Sequence, residues 1–117
     1  MTKIPEPEWR KIRDMQLAVL DRVCKGILND LADASQTTDD TENHHKQYLH
    51  VYKMLINRDK DIAQGFNNLK RSNAYLLLAY WVGHRWLTLP EFNTLSEDTK
   101  AKALVICGLD EYDPSEM

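Results

Sequence analysis

The side chains best suited to chemistry lie between residues 39 and 50. His44, His45 and His50 stand close to Asp39, Asp40 and Glu42. Glu42-Asn43-His44-His45 is a Glu-x-x-His spacing, which sets a carboxylate and an imidazole on one helical face. Di-iron helical bundles use that spacing twice and add carboxylates from other helices. Here it occurs once, and the position three residues before His84 is Trp81, not an acid. His50 lies well around the helix from both His44 and His45, so the three do not converge on one ion. Glu42, His44 and His45 are therefore the candidate ligands of a metal- or small-ligand-binding alternative. The plainer reading is a solvated surface, with Glu42 as the capping-box partner of Asp39. No cofactor is expected.

Nucleophilic and phosphate chemistry have less support. Cys24 and Cys107 have apolar neighbours and no CxxC partner, which predicts inert free thiols. There is no glycine-rich phosphate loop and no paired Glu-x-x-Glu motif. These patterns favour a non-enzyme. The basic residues Arg10, Lys11, Arg13, Arg58, Lys60, Lys70, Arg71 and Arg85 are scattered, and several alternate with Asp14, Asp59 and Asp61. With a net charge of −3 the chain lacks the basic excess of a nucleic-acid binder, so that role ranks third.

The elements that would position these groups read as helices. The 117 residues are enough for one domain with its own core, and only 4 Gly and 4 Pro interrupt them. Pro7, flanked by Glu6 and Glu8, predicts the start of a first helix reaching Leu31. Its apolar positions (Trp9, Ile12, Met15, Val19, Leu20, Val23, Cys24, Ile27, Leu31) form an arc widened by Leu17 and Leu28. An arc that wide serves two neighbours, in a bundle or across a dimer. Gly26 is expected at a close helix crossing. Residues 33–38 read as a loop.

Asp39 then caps a second helix to Asn57 whose apolar face is Tyr48, Val51, Tyr52, Leu55 and Ile56. The apolar 4-3 spacing continues through Asn57–Asp61, but one helix from Asp39 to Leu87 would reach roughly 70 Å. A break is therefore expected at 57–61, with a third helix over 61–87. Its second half, from Asn73 to Leu87, is apolar all round and predicts a helix buried on every side, with Asn73 turned inward to fix register. Thr88 and Glu91 form a capping box for a short helical turn. Ser96 opens a final helix to Cys107, stopped by Gly108. Residues 1–6 and 109–117 are expected to be loose.

The sequence thus predicts an all-α domain over residues 1–117: a small bundle of three main helices, a short turn-like helix and a final short helix. The longest apolar run, Ala74–Val82, is too short to span a membrane. The polar first nine residues do not read as a signal peptide, so a cytoplasmic protein is expected. Function reads as a non-catalytic protein–protein interaction or regulatory module that self-associates. Tyr75, Tyr80, Trp81, Trp86 and Trp9 are the candidate interface residues, because Trp and Tyr are enriched at interface hot spots.

Overall fold

The computed structural model describes residues 3–36 and 43–115. It is all-α: α1 (Glu6–Gln36), α2 (His44–Phe66), a 3₁₀ turn (Arg71–Asn73), α3 (Ala74–Gly83), α4 (Leu89–Asn93) and α5 (Glu97–Cys107). No strand occurs among the described residues.

The break between the second and third helices falls later than the sequence predicts. Nothing at 57–61 interrupts α2, which runs through to Phe66. No glycine or proline stands there. The polar side chains are absorbed by neighbours instead: Arg58 donates to Asp30 at 2.7 Å, and Asp61 accepts from the Tyr80 hydroxyl at 3.2 Å. The chain turns at 67–73, where Asn68 takes a left-handed φ of 66°. Asn tolerates that conformation better than most residues. Asn73 does not fix helix register. Its Oδ1 accepts from the Lys70 N–H (2.8 Å) and its Nδ2 donates to the Asn68 carbonyl (2.9 Å), so it ties the turn together.

Other helix ends also move. α1 continues through 33–36, the first part of the expected loop, whose remaining positions 37 and 38 lie outside the described residues. α2 begins at His44, where the Asn43 side chain accepts from the Lys46 N–H at 3.0 Å. The expected Asp39–Glu42 capping box lies outside the described residues. Gln47 joins the two helices by donating to the Ala34 and Ser35 carbonyls, which lack partners inside α1. The later capping signals are found where expected. Thr88 and Glu91 cap α4 reciprocally, Ser96 accepts from the Thr99 N–H, and Gly108 closes α5 at φ 77°.

The core joins the first two thirds of α1, the end of α2, and α3, α4 and α5. Trp81, Leu78, Val82, Ala74, Ile12 and Val19 are fully buried. α3 packs chiefly on α5. Not every side of α3 is covered, since Leu76 is 55% exposed. Gly26 makes no close crossing; a Cβ there would meet nothing within 4 Å. Gly65 is the glycine that packing requires. A Cβ on it would lie 2.7 Å from Trp86 and 3.1 Å from Tyr80, so its bare backbone lets both rings rest on α2.

Both terminal segments are anchored within the described residues. Ile4 is 2% exposed, and its carbonyl accepts two hydrogen bonds from Arg71. Tyr112 is buried against Phe92, with ring centroids 4.6 Å apart, and its hydroxyl donates to the Leu87 carbonyl at 2.5 Å. Burial pushes this phenol up to about 12. Tyr112→Phe is expected to cost about 1–2 kcal/mol, because the Leu87 carbonyl loses its donor while the ring stays packed. A urea titration at neutral pH checks it; an unchanged midpoint would show that water replaces the hydroxyl.

The molecule is elongated, 56 × 27 × 22 Å, with a radius of gyration of 17.0 Å. A compact domain of this length would have about 13 Å. The excess comes from α1 and α2. None of the residues 24–36 or 44–61 belongs to the main core cluster. Those stretches form a two-helix hairpin that projects from a compact head.

Candidate interaction surface

The aromatic residues expected at an interface are mostly core. Trp81 is fully buried, stacks on Phe66 (5.5 Å between centroids) and donates its indole N–H to the Gly65 carbonyl at 2.7 Å. It presents nothing to a partner, whereas Tyr75, 9% exposed, lines a groove between α3 and α5. Tyr80, Trp86 and Trp9 are half-buried and likewise pack inward. The Tyr80 hydroxyl donates to Asp61, and burial together with the Asp61 charge raises its pKa. Trp86 stacks on Phe66 and His84, and Trp9 packs on the core cluster. These rings join α1, α2 and α3 to one another.

The candidate metal ligands are not assembled among the described residues. Glu42 lies outside them. His44 and His45 are exposed, His45 stacks on Tyr48 at 6.5 Å, and among the described residues no group of three His, Cys, Asp or Glu side chains suits a metal. His84 packs between Tyr80 and Trp86. Cys24 and Cys107 are free thiols, half-buried and not fully enclosed.

Much of the basic surface is held in ion pairs. Arg10 and Arg71 both meet Glu6, and Arg58 meets Asp30. A cleft of about 460 Å³ between the hairpin and the α3–α4 connection is lined by Arg22, Asp30, Arg58, Asp61, His84 and Arg85, among others. Several of its charges already satisfy one another. The Arg22 guanidinium forks onto both Glu91 oxygens at 2.9 Å and also donates to the Trp86 carbonyl. Burial pushes the Glu91 carboxyl up, but bonds from Arg22 and Thr88 outweigh it and hold it below its ordinary value. This arrangement is a structural clamp between α1 and α4.

Several large apolar side chains are also exposed. On α2, Tyr48 is 63% and Tyr52 52% exposed, and Leu49, Leu55 and Ile56 are also open to solvent. They form a row along one side of the helix. The Gln47, Val51, Met54 and Arg58 face is half-buried and turned to α1. α1 adds exposed Leu17 and Leu28. A second, smaller patch (Leu76, Val105 and Ile106) borders a groove of about 320 Å³ between α3 and α5. Contiguous apolar surface on this scale marks interaction sites more often than scattered single residues do.

No helix among the described residues is long and apolar enough to cross a membrane. No protein-family model matches the chain, and no curated protein or solved structure matches it either.

Proposed function

We propose that the chain is a non-catalytic interaction module that associates with copies of itself. The observation behind this reading is the exposed apolar row of α2, carried on a hairpin outside the core. Two tyrosines and three aliphatic side chains in one row are costly to keep in water unless something covers them. Glu8, Arg22, Arg71 and Glu91 in the head are engaged in holding its segments together, which fits a scaffold better than a catalyst. The two free thiols suit a reducing compartment such as the cytoplasm.

Sedimentation equilibrium from about 1 to 100 μM, the range of ordinary protein association, tests the reading. The weight-average mass should rise from 13.7 kDa toward twice that value. A clean monomer throughout would refute self-association.

A further inference from the structure

Resting on that reading, we propose that two copies pack hairpin face to hairpin face into a four-helix bundle, with α2 of each lying over α1 of the other.

The seam between α1 and α2 fixes which side of the hairpin is open. Ile27, Leu31 and Ala34 are the covered positions on α1, and Gln47, Val51, Met54 and Arg58 those on α2. The residue after a seam position lies about 100° around its helix. In antiparallel helices that same rotation leads to the same side of the pair. Leu28, Ala32 and Ser35 on α1 therefore share a face with Tyr48, Tyr52 and Leu55 on α2. All six are exposed. The Gln47 bonds to Ala34 and Ser35 set the register. Counting back from there, Leu55 stands level with Leu28, and Tyr48 level with Ser35.

Size and shape favour a second copy as the occupant. The face is a two-helix layer, and a two-helix layer of the same length and character is what the chain itself offers. From their fractional exposures, Leu28, Tyr48, Tyr52 and Leu55 present roughly 450 Å² of this face, against about 800 Å² per partner in a standard interface. The polar rim supplies the remainder. The two halves of the face also differ in bulk. α1 contributes small Ala32 and Ser35 beside Leu28, whereas α2 contributes two tyrosines. Like over like would set tyrosine on tyrosine and leave gaps over alanine. With the two-fold axis along the hairpin, each level is preserved, so Tyr48 of one copy covers Ser35 and Ala32 of the other, and Leu55 meets Leu28.

Sedimentation equilibrium on the full chain and two variants tests the face. Tyr52→Glu should raise the dimer dissociation constant by about 30-fold or more, the hot-spot range. Val105→Glu, on the other apolar patch, should leave it unchanged. Circular dichroism confirms that both remain folded. Cross-linking then tests the arrangement. With Cys24 and Cys107 replaced by serine, a Leu28→Cys chain mixed with a Leu55→Cys chain should form a disulfide-linked heterodimer, faster than either chain links to itself. If Val105→Glu dissociates the dimer and Tyr52→Glu does not, the hairpin face is wrong while self-association stands. Rapid Leu55→Cys self-linking would overturn the α2-over-α1 packing. If the unmodified chain never dimerises, both proposals fall.

Discussion

Trp81→Ala is expected to destabilise the chain by about 3–5 kcal/mol, the range for deleting a large buried aromatic side chain. Trp81 has no exposed surface, stacks on Phe66, and bonds the end of α2 to the middle of α3 through its indole N–H and the Gly65 carbonyl. Removing it leaves a cavity at the junction of both helices and an acceptor without its donor. Trp81→Phe separates the two effects. It keeps an aromatic ring in place and drops the hydrogen bond, so its cost should be smaller, about 1–3 kcal/mol. Urea unfolding followed by far-ultraviolet circular dichroism measures both. If Trp81→Ala left stability intact and abolished association, the residue would belong to an interface and the core described above would be wrong.

That residue also shows what the sequence reveals and what it hides. The run from Asn73 to Leu87 reads correctly as the centre of the fold, because so apolar a helix draws its neighbours onto it, although Leu76 leaves one side open. The all-α class, the Thr88–Glu91 capping box, the Ser96 cap and the Gly108 stop are local signals, and each depends only on residues three or four apart. The helix break is different. A 4-3 apolar spacing persists from Tyr48 to Tyr80 because α2 and α3 both feed one core, so phase alone does not place the turn between them. Burial is likewise not local. Tyr48 and Tyr52 form a plain amphipathic face of α2, and periodicity shows that face without saying whether anything covers it. Here α1 covers the adjacent face, so the tyrosines stay open while Trp81, which composition marks as a hot-spot type, is enclosed. Gly26 and Gly65 look alike in sequence. Only the packed rings of Trp86 and Tyr80 distinguish them.

Glu8→Gln is expected to cost about 3 kcal/mol at neutral pH, and the cost should fade in acid. Glu8 reads in sequence as a first-turn acid facing the helix dipole, yet it is 5% exposed. One carboxylate oxygen accepts from the Ser96 N–H at 2.6 Å, and the other accepts from Lys11 at 2.6 Å. Lys11 in turn donates to the Thr94 carbonyl, so one acid anchors the start of α1 to the junction between α4 and α5. Burial pushes the carboxyl up, but the bonds from Lys11, Ser96 and Thr99 outweigh it and bring it from 4.5 down to about 2. The unfolded chain therefore takes up a proton near pH 4.5 while the folded chain still resists. Stability from this group is fully present above that pH and is lost as pH falls through about 2. At 1.36 kcal/mol per unit, the difference amounts to about 3 kcal/mol. Other carboxylates, Glu91 among them, add to the acid sensitivity of the unmodified chain, so the gap between it and Glu8→Gln isolates Glu8. Urea unfolding of both chains at neutral pH and at several steps below pH 4.5 should show that gap closing. A gap that stayed constant would assign the cost to lost packing and hydrogen-bond geometry instead of the buried charge.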